Sequence, residues 1–329
     1  MSVSFLFCIG YIYSSFSAHK KCKTMTDNNR WKYLLSCLTW PMLMIVCIAI
    51  TAYGFSIDKA ILFFNFAYLF LVVSLLFLER YIPHEPEWNE DDGQFFPNIY
   101  HTLSSKGTVQ VLFVFSAAMG LAHIITPATE SGYSVWPRGW PLWAQVILGI
   151  YAAEFGLYWA HRIAHEWWPL WRFHSIHHSV TKLWVINTGR FHFVVSLVSI
   201  ILGMAILLAL GAPMEVLKWL SAITAFIGML THCNVDMRFG SLSWIFNTPG
   251  LHRWHHSRDL GEANNNYGEN VMIWDLLFRT YYNPNRRPPA DIGINEYMPP
   301  TFSRQIQWPF LKQRYVTRKK RPVVPSAER

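Results

Sequence analysis

"AILFFNFAYLFLVVSLLFL", residues 60–78, runs for nineteen positions without a charged side chain. A helix needs about 20 predominantly apolar residues to cross a hydrocarbon layer of roughly 30 Å, so this stretch predicts a membrane span. Upstream, "YLLSCLTWPMLMIVCIAITAYG" at 33–54 reads the same way. Downstream, "TVQVLFVFSAAMGLAHIIT" at 108–126 is followed by apolar runs at about 141–160, 193–211 and 214–231. Only a turn around Ala212 and Pro213 separates the last two, which predicts a tight hairpin, either crossing the bilayer or dipping into it. Buried core helices of a large soluble protein would be the alternative, and six such runs count against it. The predicted fold class is all-α: a multi-pass integral membrane helical bundle of about six apolar segments with a cytoplasmic, histidine-rich helical cap.

Composition agrees. Apolar residues make up 52% of the 329 and charged ones 15%, against roughly 25% charged in soluble domains. Sixteen Trp, fifteen Tyr and twenty-three Phe suit a membrane interface, where amphipathic rings settle. The net charge of +8 reads as topology and not as nucleic-acid binding. All but three of the 28 Lys and Arg fall in the N-terminal arm, the 79–107 loop, the histidine-bearing segments or the tail. The exceptions, Lys59, Arg138 and Lys218, sit near the opposite ends of the spans. Because basic loops stay on the cytoplasmic side, these features predict a multi-pass protein with its site on the cytoplasmic face of a bacterial inner membrane, or of the endoplasmic reticulum in a eukaryote.

Five cysteines without a C-x-x-C pair fit reduced thiols. "MSVSFLFCIGYIYSSFSA" at 1–18 lacks the basic start of a signal peptide, and residues 1–24, ahead of Met25, are expected to be dispensable. The expected organisation is a basic arm at 1–32, N-terminal spans and loop at 33–140, a catalytic domain at 141–285 and a basic tail at 286–329.

Ten of the fourteen histidines lie between His161 and His256. "HRIAH" at 161–165 has H-x-x-x-H spacing, and "HSIHH" at 174–178 and "HRWHH" at 252–256 share H-x-x-H-H. Positions three and four apart share a helix face. His161 and His165 therefore point one way, as do His174, His177 and His178, and again His252, His255 and His256. Neutral imidazole is the commonest protein metal ligand and suits Zn, Cu, Fe and Ni alike. Eight to ten such groups exceed the needs of one ion, so two are implied. The clusters contain no carboxylate, unlike carboxylate-bridged di-iron bundles.

"YWAHRIAH", "RFHSIHH", "RFHF" and "NTPGLHRWHH…NNNYG…IWDLLFRT" resemble the histidine boxes of the fatty acid hydroxylase/sterol desaturase superfamily of membrane di-iron enzymes, over roughly 150–282. The last box is similar to that of alkylglycerol monooxygenases and bacterial sterol-desaturase-like proteins. The resemblance implies two iron ions, with zinc able to replace them in a purified form. It carries over His161, His165, His174, His177, His178, His252, His255 and His256, and adds His192 in "GRFHF" and His232 in "THCNVD". At 193 a phenylalanine stands where many members have proline. It also implies an acid near Glu154, two helical turns before His161, expected to orient a ligand imidazole through its N–H. Asp236 and Asp275 are further candidates for that role, and Asn266, Tyr267 and Gly268 for shaping the loop over the metals.

The activity implied is O2-dependent hydroxylation of a lipid C–H bond, in a fatty acyl, sterol or ether lipid. No dinucleotide-binding Gly-rich motif or fused haem domain appears in the sequence. The two electrons are therefore expected from a separate partner such as a cytochrome b5-like protein, a ferredoxin or a reductase. Two alternatives remain open at this point: a desaturase using the same metals, and a histidine-rich metal transporter, which would string its ligands along the spans. A zinc hydrolase would need only three or four ligands and a general base.

Overall fold

The computed structural model describes residues 27–107 and 135–311. The segment expected to span at 108–126, most of the N-terminal arm and the end of the basic tail lie outside the described residues. The chain forms α1 (Asp27–Ser56), α2 (Ala60–Tyr81), α3 (Phe95–Tyr100), α4 (Leu142–Glu166), α5 (Trp168–His178), α6 (Phe193–Leu210), α7 (Met214–His232), α8 (Pro249–His255), α9 (Leu260–Ala263), α10 (Ile273–Phe278) and α11 (Phe302–Gln307). Four of these, α1, α2, α6 and α7, are long and apolar enough to cross a membrane.

The outer face of α2 shows why it needs lipid. Ala67, Leu71, Leu75 and Glu79, spaced four apart, form its single buried stripe. On its other faces Ile61 is 79% exposed, Phe66 59% and Phe77 66%. Leaving a large apolar side chain in water forfeits about 1.5–3 kcal/mol, so only hydrocarbon suits that surface. The buried stripe packs with Trp40, Met44 and Cys47 of α1 and with Phe226 and Leu230 of α7.

α1–α2 and α6–α7 are two antiparallel hairpins whose turns lie at the same end of the bundle. The second turn is made by Gly211, in a left-handed conformation at φ 75° as helix C-caps favour, followed by Ala212 and Pro213. Arg138 donates to the Gly211 carbonyl at 3.0 Å, which places one of the three exceptional cations at that end. Trp140 and Trp143 are exposed nearby, and Trp31, Trp167, Trp168 and Trp244 near the opposite end. Two tryptophan belts thus flank the bundle, as at membrane interfaces.

The run at 141–160, expected to span, is helical within α4, but α4 is not among the four apolar spans. Its length suffices, but its composition does not: Gln145, Glu154, His161, Arg162 and His165 interrupt the apolar surface, and most of these polar groups are turned into protein. α4 lies close against α6. A Cβ on Gly156 would come within 2.3 Å of the Leu202 carbonyl oxygen, and one on Gly203 within 3.1 Å of Leu157. Such small-residue contacts let helix backbones approach in a membrane. Gly156→Val should therefore lower stability by about 1–3 kcal/mol through overpacking, read as a fall in the thermal unfolding midpoint in detergent, whereas Gly228→Ala, where a Cβ meets no described atom within 4 Å, should shift it far less.

Candidate metal centre

The histidines reach the end of the bundle opposite the turns on four elements. His161 and His165 sit on the last turns of α4, and His174, His177 and His178 on α5, which Pro169 starts near its N-terminus. His232 ends α7. "NTPG" begins α8: the Thr248 hydroxyl accepts from the Leu251 N–H and Pro249 takes the first helical position, where its missing N–H costs nothing. His252 and His255 then share the helix and His256 caps it.

These residues form two groups. In one, ligand nitrogens of His161, His165, His174, His178 and His255 all lie within 4.8 Å of one another; in the other, those of His177, His232, His252 and His256 do. The groups abut, with the His178 and His256 rings stacked at 4.3 Å. The closest approaches are between Nε2 atoms: His161 to His255 at 2.9 Å, His165 to His178 at 3.0 Å and His174 to His178 at 3.1 Å. In the second group His232 meets His252 at 2.8 Å, His252 meets His256 at 3.1 Å and His177 meets His256 at 3.2 Å.

The opposite ring nitrogens show what those approaches mean. Nδ1 of His161 is 2.8 Å from the Tyr267 carbonyl, that of His255 2.7 Å from the Asn265 carbonyl and that of His177 3.3 Å from the Arg190 carbonyl. Nδ1 of His165 faces Oδ1 of Asn264 at 3.3 Å, and that of His232 faces Oδ1 of Asn187 at 3.5 Å. A carbonyl oxygen only accepts, so Nδ1 is the N–H in each of these rings and Nε2 carries a lone pair. Burial keeps the rings neutral. It holds His161 down to about 4 and His165, His174, His177, His178, His252, His255 and His256 well below their ordinary value near 6.5. In the His161–His255 pair, where both tautomers are held, two Nε2 lone pairs face each other at 2.9 Å and repel unless a cation lies between them. The donor set therefore fits two soft-to-borderline metal cations, one per group.

His192 does not join them. Its Nδ1 accepts from the Val194 N–H at 3.2 Å, capping α6, and its Nε2 donates to the Ile306 carbonyl at 3.2 Å. Both nitrogens are spent on holding the start of α6 against the C-terminal strap, so the expected tenth ligand is a helix cap.

None of the three acids touches a ligand imidazole. Glu154, buried in α4, accepts from the backbone N–H groups of Glu269 and Asn270 and from the Asn270 side chain at 2.8 Å. Asp275 accepts from the N–H groups of Tyr267 and Gly268 and the Thr280 hydroxyl, at 2.7–2.8 Å. Both carboxylates thus brace the 264–270 loop, whose oxygens orient His161, His165 and His255. In that loop Asn266 takes a left-handed φ of 56° and donates to the Leu251 and Tyr282 carbonyls. Gly268 leaves no room for a side chain, since a Cβ would stand 2.6 Å from the Val271 oxygen. Asp236 lies elsewhere, near Ser36 and His84, and the His84 imidazole holds its carboxyl below the usual range.

Several positioning residues carry no spacing signal. Arg253, buried between two ligand positions, donates to the Cys233 and Val235 carbonyls at 2.8 and 3.0 Å and so presses α8 against the exit of α7. Glu79, at the end of α2, accepts from the Val185 and Asn234 N–H groups at 2.8 and 3.0 Å. Asn187, Arg190, Asn264 and Asn265 supply oxygens to ligand rings. Asn264 and Asn265 stand inside the quoted "NNNYG", where a run of three amides is the available signal. Asn187 and Arg190 flank "TG" at 188–189, and no pattern marks them.

A cavity opens from the histidines between α6 and α7. It is lined by His161, His174, His177, His232 and His252 at one end and by Val195, Ser199, Thr224 and Gly228 along the helices, with Glu269 and Asn247 at its side.

The chain is 48% identical over 289 residues to the ornithine lipid hydroxylase OlsE of Rhizobium tropici, with 87% of each chain covered. A family profile described as fatty acid hydroxylase matches residues 146–280. The chain belongs to the fatty acid hydroxylase family. Within this family it is also 31% identical over 152 residues to human alkylglycerol monooxygenase, covering 46% of this chain and 33% of that protein. Fatty acid hydroxylase vlmA of a Lecanicillium species is 30% identical over 158 residues, 43% of each chain. No solved structure matches. Membership makes the protein an oxidoreductase of the lipid hydroxylase and monooxygenase kind, of an iron-dependent family.

Two outcomes follow from this geometry. Glu154→Gln replaces an acceptor of several N–H groups by a side chain that is half donor. Loss of such outer support typically costs 10–100-fold in metal affinity or activity, and metal retained after chelator challenge should fall by about that factor. In the metal-free protein the unfolded chain takes up protons as pH falls through 6.5 while the buried imidazoles do not. The unfolded state then binds more protons, so stability drops with falling pH. The unfolding midpoint of apo protein should be lower at pH 5.5 than at pH 7.5, and a flat profile would mean the rings are not buried as described.

Proposed function

We propose that this chain hydroxylates ornithine lipid, using two iron ions held by His161, His165, His174, His178 and His255 on one side and by His177, His232, His252 and His256 on the other. The observation that carries the reading is the inward convergence of nine imidazole Nε2 atoms in two adjoining groups at the end of a cavity between apolar helices. Similarity to an ornithine lipid hydroxylase over 87% of both chains supports ornithine lipid as the substrate.

When bound, an iron pair supplies the oxidising power drawn from O2 that an unactivated C–H bond requires. The balance is one lipid C–H, O2, two electrons and two protons in, and one C–OH and one water out. The chain's own part is arrangement. The histidines present neutral nitrogens, and in five of the nine rings an oxygen behind Nδ1 holds the tautomer. The α6–α7 cavity admits a lipid sideways from the bilayer and keeps its reacting end beside the imidazoles. Burial of eight of the nine histidines, with His165 half-buried, keeps bulk water from the place of reaction.

Electrons come from a separate carrier, of the cytochrome b5-like, ferredoxin or reductase kind. The histidine end of the bundle faces the cytoplasm on this reading, since Lys59, Arg138 and Lys218 alone mark the other end and basic segments stay inside. Ligands gathered at one end of the spans, and not strung along them, favour an enzyme over a transporter. Insertion of oxygen is favoured over desaturation by the relatives, which are hydroxylases and monooxygenases.

Expression in a host that makes ornithine lipid, grown under 18O2, should yield that lipid heavier by one labelled oxygen atom. His177→Ala should abolish the product and lower iron content. A new double bond without label, or full product from the variant, would overturn the assignment.

A further inference from the structure

Helix glycines in this protein mostly mark close contacts. A Cβ would meet Phe63 at 2.3 Å from Gly54, Val216 at 2.8 Å from Gly149, and the Leu202 oxygen at 2.3 Å from Gly156. Gly228 is different. It lies inside α7, where glycine costs about 1 kcal/mol relative to alanine, yet no described atom is within 4 Å of where its Cβ would stand. Among the described residues no packing contact accounts for it, and its φ is not in the left-handed region. It lines the cavity that ends at the histidines, one turn before His232.

Two hydroxyls flank the same space. Ser199 of α6 and Thr224 of α7 both line the cavity. Hydroxyls inside helices commonly bond back to the carbonyl of the preceding turn. Thr39, Thr51, Ser221 and Thr231 do so here, at 2.7–2.9 Å. Ser199 and Thr224 make no hydrogen bond among the described residues. Both residues are half-buried at the cavity wall, so their hydroxyls are open to a polar atom of whatever occupies the cavity. Bare hydrocarbon offers none, whereas the carbonyl oxygen of an acyl linkage accepts from both.

We propose that Gly228, Ser199 and Thr224 form the seat for the acyl carbonyl, amide or ester, of the lipid substrate, with Gly228 leaving the room and the hydroxyls donating to the oxygen. The seat rests on the reading of the chain as a lipid hydroxylase and adds a substrate requirement to it: a lipid must carry a carbonyl at this point to be held beside the histidines. α7 presents Thr224, Gly228 and Thr231 at spacings of four and three, one continuous helix face. A larger residue at 228 therefore fills the path itself.

The test uses full-length, metal-free protein in detergent and three probes of equal chain length: N-lauroyl-ornithine, ethyl laurate and dodecylammonium, which lacks a carbonyl. Binding is read by ligand-induced shifts in the unfolding midpoint, and iron content after reconstitution serves as the check on folding. Wild type should bind both carbonyl probes at least tenfold tighter than dodecylammonium. Ser199→Ala with Thr224→Val should reduce that preference to under threefold. Gly228→Leu should weaken both carbonyl probes at least tenfold with iron content kept, and Gly228→Ala by a smaller factor should the leucine variant fail to fold.

An amide-only preference in wild type, lost in the double variant, assigns the seat to amide-linked lipids. A preference that survives the double variant, or Gly228 variants that bind all probes as wild type does, overturns the proposal. The labelled-oxygen experiment is independent. Carbonyl-dependent binding without a labelled ornithine lipid leaves the seat standing and removes the proposed substrate, and labelled product with carbonyl-blind binding does the reverse.

Discussion

An imidazole has two nitrogens, and this fold uses them in opposite directions. Five ligand rings turn Nδ1 outward to a carbonyl oxygen and Nε2 inward to the shared centre. Pinning the proton at the back commits the lone pair at the front, and burial removes the option of protonation. His161 and His255, both held this way, then face each other at 2.9 Å with no proton to share. A cation resolves that repulsion, so metal binding and folding of the cap are one problem. The need for backing oxygens also explains why so much of the chain outside the boxes converges here. Asn187, Arg190, Asn264, Asn265 and Tyr267 contribute an acceptor each.

The buried acids belong to a second layer of the same constraint. A carboxylate in direct contact with a ligand ring would be one way to orient it, and the sequence suggested that role for Glu154. The fold instead spends Glu154 and Asp275 on clusters of backbone N–H groups in the 264–270 loop. Multiple N–H donors satisfy a buried carboxylate well, and the loop in turn fixes three rings with its oxygens. The consequence is division of labour: charge stabilises loop geometry, and neutral dipoles touch the ligands.

How much could be read from residue order depends on the range of each interaction. Helical spacing of four is local, so the grouping of His161 with His165, of His174 with His178 and of His252 with His256 follows from the chain itself, whereas His255, expected to point with His252 and His256, serves the other group. Which group shares a metal with which does not follow from it. His177 and His178 are neighbours in sequence and serve different groups, because adjacent helix positions point about 100° apart. His192 had a motif-like setting yet serves as a cap, a choice made by the Ile306 carbonyl 114 residues away. The four spans α1, α2, α6 and α7 were legible from composition, whereas α4 was read as a span although Gln145, Glu154 and Arg162 break its apolar surface. Asn187 and Arg190 were invisible because a backbone or amide oxygen acquires its role only from what is folded against it.

The two hairpins decide where the chemistry meets the lipid. With both turns at one end, the four spans deliver their other ends to a single interface, and everything reactive is gathered there. α2 spends nearly all its surface on lipid and holds the cap with one buried group, Glu79. α6 and α7 spend theirs differently: they part beneath the histidines, leaving a cavity lined by small and hydroxylated residues. A bundle packed throughout to protein density would have no such gap, and an interfacial metal site without one would meet only solvent. On the proposed reading, a lipid reaches the histidines through the cavity between α6 and α7, and the small residues that line it set how much of that lipid fits alongside them.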